Sequence, residues 1–324
     1  MGALPGTGGL STGRARWTFT ADVEEFAEIV GPWLLRDPVR NTVQLTVLRG
    51  IRSGLHGYGV LMGWLSDRDP ANPANPANPA NPADRAGPAG PAGPVPPAPV
   101  ASADTAAPAV VGAILHTAPY PLLLGDVPLT TLPALAADLI GREHEVAAVR
   151  GPVDVAEAFA RAWWRPERRR RPERLYRLET LAAAPAPGKP RTASAADVPL
   201  ATEWVRAFQA EAHVDVRADP APVVSARVNR DELVWWEDDG RPVAFACVST
   251  PISGMSRIGP VYTPPPLRGR GYAGAATHAA TRKALDEGAD EVLLITDLSN
   301  PVSNSLYQRL GYRPVGDYVT IDFG

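Results

Sequence analysis

Cysteine is nearly absent: Cys247 is the only one in 324 residues. No internal disulfide can form, and nothing calls for an oxidising compartment. Long apolar runs are missing too, so no membrane-spanning helix is expected. Nearly all of the 32 Lys and Arg residues are arginine, and 35 Asp and Glu leave a formal net charge of −3. That balance gives no global attraction to nucleic acid or to an anionic membrane. Five scattered histidines lack ligand spacing, so no metal site is expected. The phosphate-binding pattern G-x-x-x-x-G-K-[ST] is absent. Residues 1–16 are glycine-rich without the apolar core of a signal peptide, and Gly6 stands where a myristoylation pattern needs Ser or Thr. They read as a flexible leader, and the cytoplasm is the expected location.

What is present suits two packed domains. The length allows them, and 45% hydrophobic residues supply cores. Cys247 falls in an apolar strand pattern and reads as a buried, inert thiol. Residues 17–165 alternate helical and extended patterns: helices over 22–35 and 39–53, strands over 58–65, 110–116 and 120–124, a helix over 129–140, a strand over 145–149 and a helix over 153–164. Between the first two strands, 69–107 carries four Ala-Asn-Pro repeats and further Gly-Pro and Pro-Pro steps. Proline removes backbone donors and fixes φ, so this insertion is expected to be disordered. Residues 166–190, basic and then proline-rich, read as a solvated connector. The C-terminal part, 191–324, begins with a short strand at 191–192 and a helix over 197–212. A hairpin follows (233–236 and 243–248, turning at Asp239-Gly240), then a strand over 255–263. A strand over 318–321 closes this sheet.

The stretch 259–312 carries the chemistry. Arg268-Gly269-Arg270-Gly271-Tyr272-Ala273 follows an extended segment and opens a helical run of small residues. A helix N-terminus has unpaired N–H groups and a positive dipole end, and glycines let a ligand approach the backbone. The combination predicts an anion cradle, most naturally for a pyrophosphate. Next, 292–296 reads as a buried parallel strand, and Asn300-Pro301 as the start of a helix that stops at Gly311. On it Asn300, Ser303, Asn304 and Tyr307 share one face.

Those two segments resemble the GNAT superfamily of acetyl-CoA-dependent N-acetyltransferases. Arg268, Gly271 and Ala273 match its pyrophosphate signature [QR]-x-x-G-x-[GA]. Asn300, Ser303, Tyr307, Gly311 and Tyr312 match N-x-x-[AS]-x-x-x-Y-x-x-x-G-[FY]. The resemblance covers about 190–324. It implies an α/β fold, a mixed sheet flanked by helices, with acetyl-CoA lying in a V between the fourth and fifth strands. The N-terminal part shows the same order of elements without the arginine–glycine turn or the tyrosine. It is expected to be a degenerate GNAT-like copy, making the chain a tandem.

The resemblance also implies roles. Val261, Tyr262 and Thr263 would pair with the pantetheine arm. The pyrophosphate would meet Arg268, Gly269, Arg270, Gly271, Tyr272 and Ala273, while Asn300, Ser303 and Asn304 would line the arm. An amine would attack the thioester directly, and Tyr307 would protonate the leaving thiolate. Asp297 is the first candidate for the base, with Glu211, Glu232, His213, His278 or a water chain as alternatives. The expected partners are acetyl-CoA and a primary amine, with neither nucleic acid nor membrane. The N-terminal part would wall the acceptor pocket or form a homodimer face. The alternative reading is a non-catalytic acyl-CoA-binding, sensing or protein-interaction module.

Overall fold

The computed structural model describes residues 16–54, 59–67, 109–212 and 219–324. Most of the leader and the whole 69–107 insertion lie outside the described residues. Among the described residues, twelve strands form one mixed sheet, joined by eight α-helices. In chain order the first part comprises β1 (Trp17–Thr20), α1 (Val23–Leu34), α2 (Thr42–Arg52), β2 (Val60–Ser66), β3 (Val110–Thr117), β4 (Leu122–Leu124), α3 (Leu132–Gly141), β5 (Ala148–Pro152), α4 (Val153–Ala162) and β6 (Glu167–Leu178). The second comprises β7 (Lys189–Thr192), α5 (Val198–Glu211), α6 (Ala221–Val228), β8 (Leu233–Asp238), β9 (Arg241–Val248), β10 (Met255–Tyr262), α7 (Tyr272–Asp286), β11 (Glu291–Asp297), α8 (Pro301–Arg309) and β12 (Tyr312–Phe323).

Local chemistry sets many boundaries. Asp22 caps α1 by accepting from the amides of Glu24 and Glu25 at 2.9 and 3.1 Å. Asp239-Gly240 makes the β8–β9 turn, with both residues at positive φ. Gly311 takes φ 98° and ends α8.

The sheet order is β1-β2-β3-β4-β5-β12-β6-β11-β10-β9-β8-β7. Each half runs through five strands of its own, the fourth and fifth parallel. Its sixth place is taken by the other half's last strand. β12 pairs antiparallel with β5, and β6 pairs antiparallel with β11. The two exchanged strands then pair with each other from Tyr312↔Leu178 to Phe323↔Glu167. An approximate two-fold axis therefore passes between β12 and β6.

This corrects the expectation of a solvated connector over 166–190, because 167–178 is a central strand. Central strands usually read as apolar runs; β6 reads ERRRRPERLYRL. Arg171, Arg174 and Arg177 are matched by carboxylates on the neighbouring strands. Arg171 meets Asp322 at 2.9 Å, and Arg174 makes a two-pronged pair with Asp317 at 2.6 and 2.8 Å. Glu173 accepts from Arg150 at 2.6 Å. Only Leu175 and Tyr176 are buried, one entering the core on each face of the sheet. The strand expected at 318–321 is likewise longer, and β1 and α6 were not expected.

One face of the sheet carries α1 and α2, packed over Met62, Leu115, Leu175, Met255 and Leu293. On the same face α5 and α6 cover Trp235, Phe245, Cys247 and Tyr262. The opposite face carries α3 and α4 over one half, and α7 and α8 over the other. Cys247 is fully buried, and burial pushes its thiol up to about 11, as an inert thiol requires.

Candidate active site

The site opens where β10 and β11 part. Their parallel ladder runs from Met255↔Glu291 to Ile258↔Leu294 and ends there. β10 continues to Tyr262 paired only to β9, with a bulge between Ile258 and Val261, while β11 continues to Asp297 paired only to β6. Beyond Ile258 and Leu294 the two strands face each other without a ladder. Unpaired strand edges are a template for an extended ligand with its own amides. Val261 and Tyr262 lie on this free edge, and Thr263 just past it. The Thr263 hydroxyl is buried and has no partner among the described residues.

The cradle follows directly. Gly269 and Gly271 take φ 78° and 85°, and Gly271 caps α7 in the left-handed conformation. The first backbone bond into α7 is Ala275 N–H to Gly271 C=O. The six consecutive amides from Gly269 to Gly274 have no acceptor among the described residues. Beside Gly269, a Cβ would find nothing within 4 Å. Six N–H groups at the positive end of a 15-residue helix, open to a ligand, make a site for a polyanion. Gly269, Gly271 and Gly274 also follow G-x-G-x-x-G spacing. Gly274 lets α7 lie against Leu306, whose Cδ1 would stand 3.1 Å from an added Cβ.

The flanking side chains differ from expectation. Arg268 braces the protein rather than reaching toward the cradle. Its Nε donates to the Thr263 carbonyl at 2.8 Å and its Nη2 to Glu211 at 2.5 Å. Glu211 also accepts from the Tyr262 hydroxyl at 3.1 Å. The Tyr262 side chain thereby turns toward α5, which leaves its backbone to face the split. Tyr272 is buried with its hydroxyl on Asp238, fixing the start of α7 to β8. Arg270 is exposed and has no carboxylate at ion-pair distance among the described residues.

On α8, Asn300 caps the helix by accepting from the Ser303 amide at 3.0 Å. Its own NH₂ has no acceptor among the described residues. Asn304 ties the end of β11 to α8 and β6, donating to the carbonyls of Asp297 and Asn300 at 2.8 and 2.7 Å and accepting from Tyr176 at 2.8 Å. It is a fastening residue. Tyr307 is buried in the cluster holding Ile258 and Val261, the β10 residues at the split, and meets Tyr312 edge-on at 6.3 Å. Its hydroxyl has no partner among the described residues. Burial pushes the phenol up to about 12, so it stays protonated at neutral pH.

The three candidate carboxylates are each engaged among the described residues. Asp297 is engaged in its own turn, accepting from the Ser299 amide and hydroxyl at 2.7 and 2.6 Å. Glu211 is held by Arg268 and Tyr262. Glu232 is buried and accepts from Arg49 and from the Thr250 amide at 3.0 Å each, and from Arg230 at 2.9 Å. Burial opposes its charge, but the bonds from Arg230 and Thr250 and the neighbouring arginines hold it below the usual carboxylate range. His278, on α7, is lowered by burial and by Arg282. His213 lies outside the described residues.

The matching place in the N-terminal half is built differently. β4 stops at Leu124, and Gly151 of β5 packs against it, with an added Cβ only 3.0 Å from the Leu124 Cβ. The turn after β4 has no positive-φ glycine. Phe159, stacked on Trp163 at 5.4 Å, fills the core under α4.

A split parallel pair followed by a glycine cradle at a helix N-terminus is built for an extended ligand that ends in a polyanion. Residues 200–312 match the acetyltransferase (GNAT) family model, so the C-terminal half carries a GNAT acetyltransferase domain. The fold is shared along nearly the whole chain with a tandem GNAT protein from the clavulanic acid biosynthesis pathway. That structure is 12% identical, with 95% of this chain and 99% of that one covered at a TM-score of 0.52. A Drosophila protein, also 12% identical, covers 97% of this chain and 99% of its own at 0.56. A GNAT-family acetyltransferase from Colwellia psychrerythraea is 15% identical over 66% of this chain and 82% of its own, with a TM-score of 0.47. No curated protein matches the sequence. The chain thus shares its fold, over both halves, with that tandem GNAT protein.

Proposed function

We propose that the protein transfers an acetyl group from acetyl-CoA to a primary amine, using one donor site per chain, in the C-terminal half. The observation that carries this reading is the run of six unpaired amides at the head of α7, opening beside the split between β10 and β11. The amides of Gly269 to Ala273 would hold the pyrophosphate, with Arg270 at the rim. The free edge of β10 around Val261 and Thr263 would pair with the pantetheine arm, and the NH₂ of Asn300 and the Ser303 hydroxyl would line it.

The thioester is then attacked directly by the amine, and the developing thiolate needs a donor. Tyr307 is the protonated group at the split. A phenol near about 12 is a weaker acid than a thiol near about 8.5. Its first contribution is therefore a hydrogen bond to the growing negative charge, with the proton following as the carbon–sulfur bond breaks. With Asp297, Glu211 and Glu232 all engaged, the amine's proton leaves through water.

Calorimetric titration with acetyl-CoA tests the reading. One site per chain is expected, lost in a Gly271→Glu variant, which places a side chain and a negative charge in the cradle. Two sites would overturn the assignment of the N-terminal half. Binding without thiol release on any amine would favour an acyl-CoA-binding module.

A further inference from the structure

Arg257 sits on β10 one residue before the ladder with β11 ends. Met255, two residues earlier, enters the core beneath α1 and α2, and Ile258 enters the core beneath α7 and α8. Side chains alternate along a strand, so Arg257 projects on the α2 side, away from the amide cradle. It lies at the inner end of the split, on the face of the sheet covered by α1 and α2.

Its guanidinium has no hydrogen bond or ion pair among the described residues, although it is only partly exposed. The surroundings explain why. Arg49, Arg150, Arg227, Arg230 and Arg257 share two carboxylates, and both are engaged. Glu232 holds Arg49 at 3.0 Å and Arg230 at 2.9 Å, and Glu173 holds Arg150 at 2.6 Å. Arg227, half-buried on α6, has no ion pair among the described residues either. Burial, then the charges of Arg227, Arg150 and Arg49, pull Arg257 down to about 9. A guanidinium kept from water beside other cations is stabilised by an anion, and most strongly where the anion accepts two of its N–H groups.

We infer that the acceptor amine carries an anionic group, a carboxylate or a phosphate ester, which docks on Arg257 with Arg227 beside it. The inference rests on the acyl-transfer reading above. It makes Arg257 a specificity-determining residue contributed by β10, with α2 of the N-terminal half anchored next to it through the bonds from Arg49 to Thr250 at 2.5 and 3.1 Å.

The test uses the full chain, acetyl-CoA and matched amines: glycine against glycinamide, and phosphoethanolamine against ethanolamine. Glycinamide is the less basic amine, so chemistry alone would favour it. The expected result is the reverse, with kcat/KM for at least one anionic partner roughly 10–100-fold higher, as suits a charged hydrogen-bonded contact. Arg257→Gln should collapse that ratio through KM, and Arg257→Lys should restore part of it, with acetyl-CoA still binding both variants. A second readout needs no turnover. With CoA saturating the cradle, inorganic phosphate should raise the melting temperature of the parent and not that of Arg257→Gln. Acetyl-CoA binding with no phosphate effect, or equal turnover of charged and neutral amines, would overturn the inference and leave the acyltransferase reading standing. Failure of the parent to bind acetyl-CoA would overturn both.

Discussion

Gly311, which ends α8, lies so close to Thr180, just past β6, that a Cβ built on it would stand 1.8 Å from the Thr180 carbonyl oxygen. The contact is locked from both sides. The Glu179 amide donates to the Gly311 carbonyl and the Ala182 amide to that of Leu310, each at 3.0 Å. With φ at 98°, only glycine fits without moving the backbone. Gly311→Ala should cost about 3 kcal/mol through left-handed strain and overpacking. Gly316→Ala, in the bulge of β12, would meet nothing nearer than 3.9 Å and should stay within about 0.5 kcal/mol. Urea midpoints of the two variants check the difference.

Tyr307→Phe removes a buried phenolic hydroxyl at the split that has no partner among the described residues. It should lower kcat by roughly 10²-fold, the low end for general-acid help, with acetyl-CoA affinity unchanged. A phenol held near about 12 stays protonated throughout the working range, so no alkaline loss of kcat below pH 10 should trace to it. Turnover in the variant equal to the parent's would assign the leaving thiolate's proton to water.

His116 is the clearest acid-sensitive group. Its ring is buried, its Nδ1 lies 2.6 Å from His144 Nε2 and its Nε2 lies 2.9 Å from the Tyr120 carbonyl. Burial, then the facing His144, lowers it to about 4. The folded state therefore favours the neutral ring. The stabilisation is complete above the unfolded value near about 6.5 and disappears as pH falls to about 4. The difference is on the order of 3 kcal/mol. Melting temperatures from pH 7 to 4 should fall more steeply for the parent than for His116→Leu.

How far the sequence discloses this molecule depends on whether a residue's role is local. The turn at Gly269–Gly271, the cap at Asn300 and the stop at Gly311 follow from backbone chemistry within a few residues, and each appears where its local pattern puts it. Arg268 was read as a charge for the ligand, but its partner Glu211 lies 57 positions away, beyond any local pattern. Asp297 is the first candidate for the base by its place after β11, and nothing in the sequence says that Ser299 will fold back on it. β6 was hidden most thoroughly. Its arginines read as a solvated run because the carboxylates that offset them, Asp317 and Asp322 on β12 and Glu291 on β11, are more than a hundred residues further on. A binary pattern of apolar and polar residues cannot record a strand stabilised by cross-strand charge pairs.

The exchange of β6 and β12 has a consequence for how the chain is made. Until β12 forms, β5 presents an unpaired edge, and β12 is the last of the twelve strands to be synthesised. The N-terminal half therefore waits with a bare edge while the C-terminal half is translated, and β6 waits for β11. Contacts spanning this much sequence form slowly and expose strand edges to neighbouring chains meanwhile. Neither half can be excised as a finished domain, since each would leave behind the strand that completes it. The arginines along β6, charged and well hydrated before their partners arrive, are suited to keeping that waiting edge apart from its counterpart on another nascent chain.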